Sequence, residues 1–277
     1  MRKKDSNPHI QSQSLLCYLY TIPQNVNFAT ARFIVPRLCG FVNPFRAFSR
    51  ENRNLCLQKL LPMVYWKKRG CKALSDLGTM KERIADACTQ EEDLNGAAFP
   101  GESMEDASFS GVGFHGCLFE NCRFLKCRTE NLYFEDTVFE NCDLSNSSFA
   151  DCCFRRVKFL RCKLMGTNFA GAVFDCSEFS ASSCRLISIS GGKLKHVVFS
   201  GADLSEGALQ ECSLNHVEFR GCTMRKSDFL HTPLKGVDLT GDEIGGLIVS
   251  GPELRGAKVT MTQACDLSRY LGLVVQY

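Results

Sequence analysis

The sequence predicts an all-β fold, a four-sided β-helix that ends in a short C-terminal capping helix. Two observations predict it. Every fifth residue from Leu94 to Leu254 is an apolar centre, because 31 of these 33 positions hold Phe, Leu, Met, Ile or Val. Two residues after each centre, from Glu91 to Gly256, 21 of 34 positions hold Gly, Asn or Asp.

A period of five fits neither the roughly 3.6 residues per turn of an α-helix nor the alternation of a strand. The backbone therefore has to turn once in each repeat. Gly, Asn and Asp tolerate left-handed backbone angles, so the second column marks the corners. Two residues before each centre the side chain is small, as a second inward position beside a crowded axis requires.

The spacing of the phenylalanines indicates how many repeats close one coil. At intervals of twenty residues, seven consecutive centres are Phe: Phe99, Phe119, Phe139, Phe159, Phe179, Phe199 and Phe219. At intervals of fifteen, Phe99 and Phe114 are followed by Thr129 and Leu144. Four repeats per coil therefore fit better than three, and neighbouring coils should stack ~4.8 Å apart, as strands do in a sheet.

Eight of the 17 cysteines occupy the small inward column. They are Cys117, Cys122, Cys127, Cys142, Cys152, Cys162, Cys212 and Cys222. We expect free, buried thiols that fill space as other small apolar side chains do. Because Cys122, Cys142 and Cys162 would lie in neighbouring coils, a disulfide within this group is the alternative.

The C-terminal segment 258–277 is predicted to cap the solenoid with a helix. Thr260 and Gln263 have the spacing of a capping box, and Gly272 is placed to end the helix. Ala264, Leu267, Tyr270 and Leu271 would share one helical face. We expect this apolar end to join two chains through the following residues: Leu267, Tyr270, Leu271, Leu273 and Val274. A cap without a dimer is the alternative.

Residues 1–79 differ from the rest of the chain. They hold 13 of the 33 Lys and Arg but 3 of the 30 Asp and Glu, which gives +10, whereas residues 80–277 carry 20 − 27 = −7. They lack the five-residue phase. They are interpreted as a disordered basic tail, an organelle transit segment, or sequence upstream of a true start at Met80, the last being preferred. Residues 80–91 would then cap the N-terminal end, and residues 92–257 would form the β-helix.

No residue pattern points to catalysis, a metal or a cofactor. The five histidines are scattered, and His115, His196, His216 and His231 fall at outward or corner positions. No phosphate-binding loop or zinc-protease motif occurs. The chain is therefore predicted not to be an enzyme. It lacks a run of ~18 apolar residues, and its cysteines suit a reducing compartment, so a cytoplasmic protein without membrane contact is expected.

Charge on the outer surface is the remaining functional signal. The predicted partner-binding residues are Glu120, Glu130, Glu135, Asp136, Glu140, Asp143 and Asp151. A basic belt follows, formed by Arg155, Arg156, Lys158, Arg161 and Lys163. Because the repeat region is acidic overall, it should attract a protein and repel nucleic acid, so no direct nucleic-acid binding is expected. A solubilising charged coat is the alternative.

The repeats resemble those of the pentapeptide-repeat superfamily, as in Phe139–Phe149 and Phe199–Leu204. The ending, from Val249 to Val259 and again from Leu271 to Val275, is similar to the C terminus of the Qnr-type quinolone-resistance proteins. The resemblance implies a right-handed quadrilateral β-helix that dimerises through its C-terminal ends and has DNA-like width and charge.

The same resemblance implies a function. Such proteins bind the type II topoisomerases DNA gyrase and topoisomerase IV and protect them from fluoroquinolones without catalysing a reaction. Several members carry protruding loops that protection needs, whereas the phase here runs unbroken from Leu94 to Leu254, so protection would have to come from the faces or corners. The alternative is a pentapeptide-repeat scaffold that mediates protein–protein interaction with an unrelated partner.

Overall fold

The computed structural model describes residues 78–274 and residue 276, with the side chain of Leu271 left out. The three interpretations of residues 1–79 therefore concern a segment that, apart from Gly78 and Thr79, lies outside the described residues.

The described chain winds into a parallel β-solenoid whose strands fall into four sets. The first face contains β1 (Leu94–Asn95), β5 (Gly113–His115), β9 (Tyr133–Glu135), β12 (Cys153–Arg155), β14 (Val173–Asp175), β16 (Lys193–Lys195) and β18 (Ser213–Asn215). The second face contains β2 (Ala98–Pro100), β6 (Leu118–Glu120), β10 (Val138–Glu140), β13 (Lys158–Leu160), β15 (Glu178–Ser180), β17 (Val198–Ser200) and β19 (Glu218–Arg220).

The third face begins with β3 (Ser103–Glu105) and β7 (Arg123–Leu125), and the fourth with β4 (Ser108–Ser110), β8 (Arg128–Glu130) and β11 (Ser148–Ala150). Both continue toward the C terminus as isolated parallel bridges, from Arg123–Asp143 to Thr223–Glu243 and from Ser148–Asn168 to Asp228–Ile248. Every strand pair is in register at twenty residues, as in Phe119 with Phe139. The predicted four-sided β-helix is confirmed.

The core consists of phenylalanine rings stacked from coil to coil. On the second face, Phe139 and Phe159 have ring centroids 5.0 Å apart, and Phe159 and Phe179 are 4.7 Å apart. On the first face, Phe134 and Phe154 are 5.0 Å apart with an interplanar angle of 2°. Near-parallel rings at this spacing add to the stabilisation that burial of their apolar area provides.

The corners are as the second column predicts. From Glu91 to Gly256, the residues of this column have positive φ, with Gly241 as the exception. Lys126, Arg156 and Leu186 do so without being Gly, Asn or Asp. The neighbouring coil explains why, because most corner N–H groups donate to a carbonyl of the following coil, as Arg156 N does to Asp175 O at 2.8 Å and Leu186 N does to Ser205 O at 3.0 Å. These hydrogen bonds between coils thus hold residues other than Gly, Asn and Asp in the left-handed conformation, which such residues rarely adopt alone.

The inward cysteines are buried and free, as expected. Their thiols donate to backbone carbonyls 23 residues earlier, for example Cys142 to Phe119 at 3.3 Å and Cys162 to Phe139 at 3.4 Å. Burial raises the pKa of the Cys117 thiol to about 11. These cysteines act as small buried fillers, and the structure has no disulfide among the cysteines that it describes.

A helix covers each end of the described solenoid. At the N-terminal end, α1 (Met80–Gln90) starts at a capping box made by Thr79 and Glu82 and buries Ile84 against the first coil. At the C-terminal end, a 3-10 helix (Pro252–Leu254) precedes α2 (Met261–Leu267), which continues as a 3-10 helix (Ser268–Leu271).

The predicted C-terminal capping box is confirmed, and Gly272 ends the helix with φ 72°. The Gln263 amide also donates to the Leu239 carbonyl at 2.7 Å and the Asp242 carbonyl at 2.9 Å, which fixes α2 to the last coils. Ala264, predicted to share the apolar face of the helix, is exposed instead.

Candidate protein-binding surface

The seven predicted partner-binding acids do not form one surface. Glu120 and Glu140 lie on neighbouring strands of the second face. The others lie elsewhere. Glu135 is on the first face, Asp136 is at the corner that follows the first face, Asp143 is on the third face and Glu130 is on the fourth face. Asp151 is at the corner that follows the fourth face. Twenty residues carry the chain round all four sides, so acids that are close in sequence point in different directions.

The basic belt neutralises the acids of the first and second faces. Arg156 lies one coil beyond Asp136 and Glu135, and its guanidinium is 2.6 Å from a carboxylate oxygen of each. Arg161 pairs with Glu140 in the same way. The hydrogen bond from Arg156 lowers the pKa of Glu135. Acids and bases that were separate blocks in the sequence therefore form cross-coil ion pairs.

His115 extends this network on the first face. Its Nε2 is 3.1 Å from an Asp93 carboxylate oxygen, and its Nδ1 is 3.3 Å from Glu135. An imidazole between two carboxylates is held by both of its nitrogens, which suits an ion-pair network and leaves no free nitrogen for acid–base chemistry.

The fourth face carries acids without ion pairs. Its outward and corner positions hold Glu130, Asp151, Glu211 and Asp228 against one base, Arg128. The ion pairs between described residues all lie on the other faces. Asp228 accepts from the uncharged groups Gln210 Nε2 at 2.5 Å and Leu230 N at 2.9 Å.

The fourth face is also flat. Between Asp151 and Glu211 its outward positions hold one long side chain, Gln210, which donates to Asp228, and otherwise short ones, which are Asn168, Ala170, Gly171, Ser188, Ser190, Gly191 and Ala208. Two acidic ends thus flank a smooth, uncharged middle. Glu211 and Asp228 were missed in the sequence analysis because charges were grouped along the chain; grouping them at intervals of twenty residues would have found this face.

The described surface offers little for catalysis. No group of three or more His, Cys, Asp or Glu residues within it is arranged to hold a metal. An open depression of about 360 Å³ is lined by Asn121, Arg123, Asn141, Cys142, Asp143, Arg161 and Lys163. The hydrogen bond with the Cys122 thiol lowers the pKa of the Cys142 thiol, but the hydrogen bond with the Cys162 thiol and burial raise it by more, so this thiol stays protonated. No nucleophile with an adjacent base is formed there.

The predicted dimer residues divide into two groups. Leu267 is buried and Tyr270 is half-buried, with its hydroxyl donating to the Leu247 carbonyl, so both belong to the cap itself. Their packing against the last coil leaves the buried part of each side chain inside the described unit. Leu273 is 57% exposed and Val274 is 87% exposed. The Leu271 side chain lies outside the described residues.

The described geometry is that of a four-sided parallel β-solenoid with a closed apolar core. Two family models match the amino-acid sequence. One is described as a pentapeptide repeat region and matches residues 112–189, and the other is described as pentapeptide repeats and matches residues 93–124 and 208–241. The chain is therefore a pentapeptide-repeat protein. No curated protein sequence matches it.

Several solved structures are similar in fold. A trypsin-treated variant of QnrB1, a plasmid-mediated fluoroquinolone resistance protein, is 20% identical over 67% of this chain and 99% of its own, with a TM-score of 0.31. The pentapeptide repeat protein Rfr23 from the cyanobacterium Cyanothece 51142 is 10% identical over 65% of this chain and 99% of its own, with a TM-score of 0.23.

HetL, a pentapeptide repeat protein involved in heterocyst differentiation regulation in Nostoc sp. strain PCC 7120, is 12% identical over 61% of this chain and 85% of its own, with a TM-score of 0.19. At these identities and TM-scores the likeness bears on neither partner nor activity. No helix among the described residues is long and apolar enough to span a membrane.

Proposed function

We propose that this protein acts without catalysis, by presenting its fourth face to a basic surface of another protein. The observation that carries the proposal is a set of four exposed or half-exposed acids on that face, Glu130, Asp151, Glu211 and Asp228, which form no ion pair with another described residue. On the first and second faces, by contrast, several acids are paired with arginines. Unpaired acids attract a basic partner without first giving up an internal ion pair. A flat surface of short side chains lets that partner approach the backbone closely.

The partner that we propose is a type II topoisomerase, DNA gyrase or topoisomerase IV, which the protein would shield from fluoroquinolones. Two things support this: the resemblance of the ending to Qnr-type proteins, and an acidic strip that suits a surface built to bind DNA. Because the corners from Glu91 to Gly256 are formed by the repeat column itself, the contact is assigned to the face and needs no protruding loop. A cytoplasmic location is part of the proposal.

Gyrase supercoiling in the presence of a fluoroquinolone tests this proposal. The full chain should restore supercoiling at micromolar protein, and the double variant Glu130→Lys/Glu211→Lys should restore at least tenfold less, because each reversal places a base against a basic partner. The matched control is Glu105→Lys/Glu120→Lys, which makes the same charge change on the third and second faces and should behave as wild type.

Failure of the wild-type chain to bind gyrase or rescue supercoiling rejects the topoisomerase as partner. Equal loss in the two double variants rejects the fourth face while leaving the partner in place.

An interaction scaffold with an unrelated partner is the second candidate. The observation that favours it is the regularity of the described coils, whose faces are built alike and carry no inserted element specific to one partner. Affinity capture from cell extract with the Glu130→Lys/Glu211→Lys variant as the reference separates the two candidates. Selective enrichment of a protein other than a topoisomerase by the wild-type chain would select the scaffold.

A further inference from the structure

The C-terminal half of the first face is basic. Lys193 and Lys195 flank Leu194 on β16, and Lys235 and Arg255 follow Lys195 at multiples of twenty residues. All four are exposed, and none takes part in an ion pair with another described residue. We call these four residues the basic strip.

The basic strip has little acid to oppose it. Asp175 is one coil away at its N-terminal edge. Glu253 is 6% exposed and turned inward, where it accepts from His231 N at 3.0 Å and from Ser250 Oγ at 2.7 Å. The N-terminal half of the same face is different, because Arg155 and Arg156 are matched there by carboxylates. Charge is therefore segregated along this face.

The geometry of the basic strip follows from the solenoid. Two outward residues on one strand, such as Lys193 and Lys195, lie about 6–7 Å apart, and successive coils are about 4.8 Å apart. Lys195 and Lys235 are two coils apart, roughly 10 Å along the solenoid axis, with Asn215 between them. Arg255 follows directly after the 3-10 helix in the next coil, where Gly236 N donates to Gly256 O. At the adjoining corner, the rings of His196 and His216 stack with centroids 4.9 Å apart. The cations form a row on a rigid support.

The surroundings of the basic strip favour a polyanion over a folded protein as its ligand. Leu194 and Leu234 point inward, with exposures of 1% and 0%, and the nearest exposed large apolar side chain is Val173 in the preceding coil. Lysines and an arginine in one row, which offer a ligand charge and no apolar contact, suit phosphate groups, because phosphates are bound by charge and not by base sequence.

We propose that the basic strip binds the phosphate backbone of nucleic acid, with duplex DNA as the simplest case. This revises the expectation of no direct nucleic-acid binding, which rested on the charge of −7 carried by residues 80–277. Salt screens charges beyond about 8–10 Å, so a phosphate at the surface responds to the nearest cations and little to the net charge. The acids of the fourth face play no part in this proposal.

Fluorescence anisotropy with a labelled 20-base-pair duplex, measured on the full chain at several salt concentrations, tests the proposal. The variant Lys195→Gln/Lys235→Gln should bind several-fold more weakly at low salt. Its plot of log affinity against log salt should be shallower than that of wild type by about 2, since each phosphate contact contributes about 0.9 to the slope. The control Lys126→Gln/Lys226→Gln removes two exposed lysines from the corner that follows the third face and should match wild type.

Residues 1–79 carry a formal charge of +10 and are the same in all three proteins, so any binding by them cancels and the comparison isolates the basic strip. Equal slopes for the strip variant and wild type would overturn the proposal, as would equal losses in the strip and control variants. Release of the labelled duplex by poly-glutamate at a lower charge concentration than unlabelled DNA requires would also overturn it, because an acidic protein would then be the better-fitting ligand.

Discussion

Asp242 occupies an inward position that Cys122, Cys142, Cys162 and Cys222 hold in other coils of the same column. It is 8% exposed, and its Oδ1 accepts from Cys222 N at 2.6 Å. Its Oδ2 has no hydrogen-bond partner. Desolvation raises the pKa of this carboxyl above its ordinary value. A buried carboxylate oxygen without a partner costs free energy, so this residue destabilises the last coils at neutral pH.

We expect Asp242→Asn to raise the free energy of unfolding by about 1 kcal/mol at pH 7, because the amide oxygen can still accept from Cys222 N while the charge is removed. A carboxyl with a raised pKa loses stability as pH rises from its unfolded to its folded pKa. The advantage of the variant should therefore shrink as pH falls through that window and vanish below ~3.9. Urea melts at several pH values measure it.

Asp238→Asn is the control for the pH series. Hydrogen bonds from Thr240 lower the pKa of Asp238, so this carboxyl contributes stability that is present above its unfolded pKa and lost as pH falls. Its replacement should reduce stability at pH 7, opposite in sign to Asp242→Asn. Two variants with the same sign of effect would contradict the assignment of Asp242 as a destabilising group.

At the scale of the elements, the repeat made most of the fold predictable. A fixed period places each apolar centre, each small inward residue and each corner without any long-range information, because every coil contacts only its neighbours. Corners at Arg156 and Leu186 were harder to predict, since the backbone conformation there is held by hydrogen bonds to the next coil and is not favoured by the residue type. The surface was predicted least well, because ion pairs such as Arg156 with Asp136 join residues twenty apart.

Phe159 tests the stacked column on which the second face depends. It is 0% exposed and lies between Phe139 and Phe179. Phe159→Asp should prevent folding, since a buried unpaired charge costs several kcal/mol and the two flanking coils cannot move apart independently. Circular dichroism on heating should show no cooperative transition. Phe159→Leu keeps an apolar side chain and should melt cooperatively at a temperature lowered by a few degrees.

A cooperative, wild-type-like melt of Phe159→Asp would mean that this residue points outward. Loss of the transition in both variants would mean that the column tolerates no change of shape, which the structure does not lead us to expect, because Leu164 and Leu194 already replace Phe at centres of other columns.

At the scale of the whole described unit, the solenoid separates different charges onto different faces. The fourth face is acidic and unpaired, and the C-terminal half of the first face is basic and unpaired, while much of the remaining charge is matched between coils. A rigid support keeps these surfaces from collapsing onto each other. We therefore propose that one molecule contacts a basic protein surface and a polyanion at the same time, through adjacent faces.

The C-terminal end is the place where we propose that two chains meet. Met261 is 86% exposed, Leu273 is 57% exposed and Val274 is 87% exposed, so apolar area is concentrated beyond the cap. Burying this area against a second copy would stabilise both copies.

Light scattering of the full chain should give twice the monomer mass. The variant Leu273→Arg/Val274→Arg should give the monomer mass, with an unchanged melting temperature of the coils. Met165→Arg, at an apolar residue 46% exposed on the third face, is the control and should remain a dimer. A wild-type monomer, or a Leu273→Arg/Val274→Arg variant that keeps the dimer mass, would show that the cap closes the solenoid without joining chains.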